Sequence, residues 1–99
     1  MKTYTDIVEL ADFIGRTHRE FAGRPANSPM TFDALMRAKD SLKRDPVVVG
    51  INFEATLEYR DNAGVLCWLP TIITVEADGD GLRYIERTRK AAENELGKF

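Results

Sequence analysis

The strongest constraint on the fold is a pair of alternating segments joined by a glycine-containing turn. Over residues 47–60 apolar and other side chains alternate with a period of two, which predicts a long β-strand with one solvated face. Residues 64–75, GVLCWLPTIITV, have the length and β-branched content of a second strand. The two segments together predict an antiparallel β-hairpin.

The turn sequence RDNAGV predicts the register of this hairpin. Asp61 suits the first position of a type I turn with Asn62 and Ala63 at its centre, and Gly64 suits the left-handed position that follows in a three-residue loop. Asp61 should then lie opposite Val65. The pairs expected further along are Tyr59 with Cys67, Leu57 with Leu69, Phe53 with Ile73 and Ile51 with Val75. In this register the apolar faces of the two strands coincide, which supports it independently of the turn.

The second strand is apolar on both faces, so the face turned away from the core also needs an explanation. That face is expected to hold Leu66, Trp68, Pro70 and Ile72 together with Asn52, Glu54, Thr56 and Glu58. Three interpretations stay open: a helix of the same chain packs over Trp68, a partner protein binds there, or a two-fold copy of the chain completes a larger sheet. Pro70 cannot donate a ladder hydrogen bond, which favours a bulge or an edge at that point.

Helical spacing of apolar residues predicts three helices around the hairpin. Residues 5–21 form the first, capped by Thr5 or Asp6, and residues 22–30 are expected to be a loop. The second begins at Thr31 as N-cap and ends at Asp45, because the ring of Pro46 disfavours helical geometry in the residue before it. The third covers residues 82–96, with Leu82, Ile85, Ala92 and Leu96 directed inward.

This order of elements predicts the fold class. Helix, helix, strand, strand and helix give a single α+β domain over residues 1–99, in which an antiparallel β-hairpin is packed by three helices. A chain of 99 residues is long enough to bury a modest core without a metal or a disulfide.

Charge and cysteine content restrict the expected partners and location. The net charge of −2 provides no field that attracts nucleic acid or an anionic membrane, and it favours a basic partner over an acidic one. The single Cys67 cannot form an intramolecular disulfide, the N-terminus lacks a signal-peptide pattern, and no segment reaches eighteen consecutive apolar residues. We therefore expect a cytoplasmic protein without a membrane segment.

The motifs with catalytic or metal-binding potential have simpler structural explanations. The run DGDG at residues 78–81 resembles the start of a calcium loop, but its twelfth position is Arg89 rather than a bidentate Glu. His18 and Cys67 are the only residues of their types, too few for a zinc site, and both are expected to be packing residues. The sequence therefore predicts no metal, no cofactor and no catalytic residue.

Two clusters of charged residues remain as candidate binding surfaces. Glu54 and Glu58 share a face with Trp68 and could form the rim of an interface around it. Arg83, Arg87 and Lys90 would form a basic stripe on the third helix, which could contact phosphates.

The function expected from these features is non-enzymatic protein binding through the Trp68 face. The predicted contact residues are Leu66, Trp68, Ile72, Glu54 and Glu58. Such a small acidic domain suits an adaptor, an immunity or antitoxin protein, or an inhibitor from a phage or mobile element, and a homodimer is an alternative assembly. The second hypothesis is a nucleic-acid-associated regulator that uses the basic stripe, and a small enzyme is the third.

Overall fold

A computed structural model describes residues 2–88 of the chain. They form a small single-domain α+β fold with two helices and a six-stranded antiparallel sheet. The elements in chain order are β1 (Lys2–Tyr4), α1 (Ile7–Thr17), β2 (His18–Phe21), β3 (Arg24–Pro25), α2 (Pro29–Arg44), β4 (Gly50–Arg60), β5 (Leu66–Asp78) and β6 (Gly81–Thr88).

The sheet has the strand order β1-β6-β5-β4-β2-β3, so β4 and β5 lie at its centre. Both helices pack on the same side, which we call the helix face. The core there is formed by fully buried residues of the helices and of the central strands, among them Leu10, Ile14, Leu35, Ile73 and Val75. The opposite side is called the open face.

The predicted hairpin and its register are confirmed. Tyr59 pairs with Cys67, Phe53 with Ile73 and Ile51 with Val75 across the β4 and β5 strands. The turn also has the expected geometry, since Gly64 adopts a φ of 79° and its N–H donates to the carbonyl of Asp61. The Asp61 carboxylate accepts the N–H groups of Ala63 and Val65, both at 2.9 Å. The first strand begins at Gly50 instead of residue 47.

The first helix is predicted correctly at its N-terminal end, but the prediction extends too far at the C-terminal end. Asp6 caps α1 by accepting from the N–H of Val8, but the helix ends at Thr17. His18 and Phe21 are buried as predicted, yet they belong to β2, where a β-bulge brings both onto the helix face. The i, i+3 spacing of two buried residues therefore arises from a bulged strand rather than from another helical turn.

The second helix ends as predicted and begins earlier. Asp45 is its C-cap residue, directly before Pro46. Its N-cap is Ser28 rather than Thr31, with Pro29 in the first turn, where the missing N–H has no consequence. The Thr31 hydroxyl instead donates to the carbonyl of Ala26, which anchors the preceding loop to the helix.

The prediction of a third helix from residue 82 is wrong. Residues 81–88 form β6, which pairs with β5 along its whole length, and Leu82 is buried as expected but from a strand. Every second residue, namely Leu82, Tyr84 and Glu86, lies on the helix face, which is the pattern of a strand and not of a helix. The edge of β5 supplies hydrogen-bonding partners that outweigh helix propensity. The predicted remainder, including Lys90, lies outside the described residues.

The DGDG run is a hairpin turn between β5 and β6. Asp78 pairs with Gly81, and Gly79 has a φ of 58° at the first central position, where glycine avoids backbone strain. The run is thus a tight turn, and Asp80 lies directly before the strand β6.

Candidate functional site

The open face carries the residues predicted for partner binding. Alternate positions of β4 and β5 point to this side, and the two helices of residues 2–88 lie on the other. The structure brings all five predicted contact residues onto one surface, which we call the Trp68 patch: Leu66, Trp68, Ile72, Glu54 and Glu58.

Trp68 is the most prominent apolar side chain of this patch. It is 52% exposed, so the helices within residues 2–88 leave it partly accessible. Its indole N–H donates to Oε1 of Glu58 at 3.1 Å, and the Arg19 guanidinium lies 4.1 Å from the ring centroid. The hydrogen bond and the cation–π contact orient the indole on this face.

The surroundings of Trp68 are partly apolar and partly acidic. Leu66 is 44% exposed, Ile72 is half-buried, and Glu54 and Glu58 are exposed opposite Ile72 and Trp68 respectively. The patch thus combines an apolar centre with carboxylates at its border, the composition found at protein interfaces.

Sequence reasoning missed Arg19, which contacts the Trp68 patch through the indole ring. A continuous helix over residues 5–21 would have placed it away from the sheet, whereas the bulge in β2 after His18 brings it over the indole of Trp68. No signal in the sequence could have indicated this contact, because it depends on the pairing of β2 with β4.

The basic stripe proposed for nucleic-acid binding has a different geometry from that predicted. Arg83 and Arg87 lie on the open face of β6, a strand, and Lys90 lies outside the described residues. Arg83 is 3.3 Å from a carboxylate oxygen of Asp78 and 3.8 Å from one of Glu76. Arg87 donates to the Thr74 hydroxyl at 3.3 Å.

These contacts reduce the charge that Arg83 could offer to a phosphate. A hydrogen bond from the Thr3 hydroxyl and the charge of Arg83 hold the pKa of Asp78 below its ordinary value. The carboxylate therefore stays ionised and remains the partner of Arg83 at neutral pH.

His18 contributes to packing on the helix face. It is buried, its Nε2 contacts a carboxylate oxygen of Glu86, and its Nδ1 lies 2.8 Å from the Thr17 hydroxyl. Burial alone would raise the pKa of Glu86, but hydrogen bonding to neighbouring side chains, above all His18, and the charge of His18 together outweigh burial and lower the pKa. Burial and the nearby Glu86 raise the pKa of Tyr84.

His18 and Cys67 are not arranged as a nucleophilic pair. They belong to β2 and β5, and β4 lies between these strands, which places their backbones about 10 Å apart. Cys67 is half-buried, and its thiol contacts the carbonyl of Val65 at 3.4 Å. The packing role predicted for His18 agrees with its burial, whereas Cys67 does not belong to the core cluster of residues 2–88.

Residues 2–88 show neither a metal-binding cluster nor a membrane-spanning helix. These residues contain no group of three or more His, Cys, Asp or Glu side chains arranged to hold a metal ion. Neither of the two helices in this part of the chain combines the length and the apolar character required to cross a membrane.

The fold and the patch define a two-layer α+β protein with one helix-covered sheet face and one face bearing an exposed tryptophan. Comparison with protein-family models, with curated proteins and with solved structures found no match to this chain.

Proposed function

We propose that this protein is a non-enzymatic interaction module that binds a partner protein through the Trp68 patch. The observation that carries the proposal is the 52% exposure of an oriented Trp68 on the open face of the sheet. A large aromatic ring is costly to leave in water, and tryptophan is enriched among the residues that contribute most to protein interfaces.

The chemistry of the patch indicates the kind of partner. Glu54 and Glu58 border the apolar centre, and the whole chain carries a net charge of −2. A complementary surface would have an aliphatic depression for the indole and lysine or arginine side chains opposite the two carboxylates. An adaptor, an immunity or antitoxin protein, or an inhibitor from a phage or mobile element would use such a surface.

A matched pair of variants tests the patch directly. Trp68→Ala removes the proposed anchor, and Tyr59→Ala removes another exposed aromatic from the same end of the hairpin but from the opposite side of the sheet. Affinity capture with both variants and the wild-type chain should recover a protein that Trp68→Ala alone fails to retain.

Binding of the purified partner then gives the size of the effect. We expect Trp68→Ala to weaken the affinity by about 2 kcal/mol or more, close to a thirtyfold increase in Kd, and Tyr59→Ala to leave it unchanged. Equal affinities for the wild type and Trp68→Ala would contradict the proposal. The free energy of unfolding of each variant shows whether a loss of binding comes from a loss of folded protein.

A further inference from the structure

The two outer edges of the sheet are short and carry residues that oppose pairing with another strand. β1 has three residues, including Lys2, and β3 has only two, Arg24 and Pro25. Short edge strands, charged side chains and proline all hinder the addition of a further strand. Neither outer edge is therefore suited to intermolecular pairing.

A third edge is exposed because β4 is longer than its neighbour β2. β2 pairs only with Ala55, Thr56 and Leu57, and the N–H of Ala22 donates to the carbonyl of Glu54 at 2.8 Å. Within residues 2–88, no strand pairs with the segment from Gly50 to Phe53 on the side away from β5. We call this segment the free β4 edge.

The backbone groups that point outward at this edge follow from the hydrogen bond to Ala22. In an antiparallel ladder the N–H and C=O of one residue point to the same side, and successive residues alternate. Since the carbonyl of Glu54 points toward β2, the backbone groups of Asn52 and Gly50 point to the same side, where no strand accepts them. Those of Ile51 and Phe53 point toward β5.

The free β4 edge is also short, but its residues carry neither the charge nor the proline found at the outer edges. Residues 47–53, VVVGINF, contain no charge and no proline. Val47 is 84% exposed and Val49 is 76% exposed, directly before the strand. A groove of about 370 Å³ lies between α2 and β4, lined mainly by apolar residues such as Ile51 and Phe53 and also by Arg37. An uncharged, β-prone and partly apolar edge of this kind favours pairing with another strand.

We propose that the free β4 edge pairs antiparallel with the same edge of a second copy of this chain, which would extend the sheet across a two-fold axis. A second copy of the chain is the proposed binding partner because residues 47–53 are uncharged. This segment can therefore pair with the same segment of another copy without repulsion between like charges. Gly50 and Asn52 of each copy offer two donors and two acceptors, enough for four hydrogen bonds between copies. This proposal does not depend on the Trp68 patch.

Sedimentation of the full chain with two matched variants tests the assembly. Val49→Lys places a charge beside the free edge, and Val65→Lys places one on a comparably exposed valine in the β4–β5 turn. The wild type and Val65→Lys should reach about twice the chain mass of 11.2 kDa at high concentration, while Val49→Lys stays monomeric. A wild type that is monomeric from micromolar to millimolar concentration, or a Val49→Lys variant that still dimerises, would overturn the proposal.

Hydrogen exchange of the wild type locates the contact without any variant. The amides of Gly50 and Asn52 should become several-fold more protected as the concentration rises, while those of Ile51 and Phe53, already bonded to β5, should not change. A dimer in which the Gly50 and Asn52 amides exchange as fast as in the monomer would place the interface elsewhere and also overturn the proposal.

Discussion

The two faces of the β4–β5 hairpin differ in what covers them, although both contain large apolar residues. On the helix face, Ile73 and Val75 have no exposed surface, because α1 and α2 pack over them. On the open face, Trp68 and Leu66 remain about half exposed. Apolar character alone therefore does not identify the core of this protein. Neighbouring positions of one strand can therefore lie in the core and on an exposed surface.

The largest expected difference in stability is between variants of two adjacent isoleucines. Ile73→Ala should lower the free energy of unfolding by about 2–5 kcal/mol, because it opens a cavity in the core. Ile72→Ala, one residue away on the half-buried open face, should cost about 1 kcal/mol. Chemical denaturation of both variants measures the difference. Equal losses would mean that the open face is packed as tightly as the helix face.

The contact between His18 and Glu86 allows a test of how much a charged group stabilises the helix face. Glu86→Gln should lower the free energy of unfolding at neutral pH by about 1.5–3 kcal/mol, the usual scale for a hydrogen bond to a charged group. Chemical denaturation at neutral pH measures it. Glu20→Gln, at an exposed residue of β2, is the matched control and should have little effect.

The pH dependence of stability follows from the lowered pKa of Glu86. The ordinary value is 4.5, so the stabilisation is complete above that pH and is lost as the pH falls through the lower value of the folded state. Denaturation between about pH 5 and pH 2 should therefore show a steeper loss of stability for the wild type than for Glu86→Gln. Parallel curves would show that this carboxylate does not contribute to acid unfolding.

A smaller effect on stability is expected at the turn that sets the register of β4 and β5. Gly64→Val should destabilise the protein by about 1 kcal/mol or more, because a β-branched residue is strained at a φ of 79°. Apart from Gly64 itself and its two chain neighbours, no described residue has a heavy atom within 4 Å of the position that a Cβ would take, so the cost is conformational. Ala63→Val, the preceding turn residue, is the control. An unchanged denaturation midpoint for Gly64→Val would disprove the strain argument.

The smallest effect concerns the orientation of Trp68. Arg19→Ala should change the free energy of unfolding by less than about 1 kcal/mol, the scale of an exposed cation–π contact, while it frees the indole. Trp68 is the only tryptophan of the chain, so quenching of its fluorescence by acrylamide reports on it alone. We expect stronger quenching in Arg19→Ala than in Arg19→Lys. Identical quenching would indicate that the guanidinium does not shield the ring.

Local features of the sequence were sufficient to predict the hairpin. Strict alternation over residues 47–60 and the Asp61 to Gly64 turn predict both strands and their register, since the two strands are neighbours along the chain. The end of α2 at Asp45 is equally local, because Pro46 acts on the residue before it. Since the register also determines which side chains share a face, the membership of the Trp68 patch could be predicted, whereas its contact with Arg19 could not.

Only the tertiary structure decided the elements that depend on distant partners. Leu82 and Ile85 are compatible with a helix or a strand, and pairing of β6 with β5 selects the strand. Arg19 reaches Trp68 because β2 leaves α1 and pairs with β4 through a bulge. The physical reason is common to both cases: a backbone whose local preferences are nearly balanced adopts the conformation that pairs its N–H and C=O groups, and those partners lie far away in the sequence.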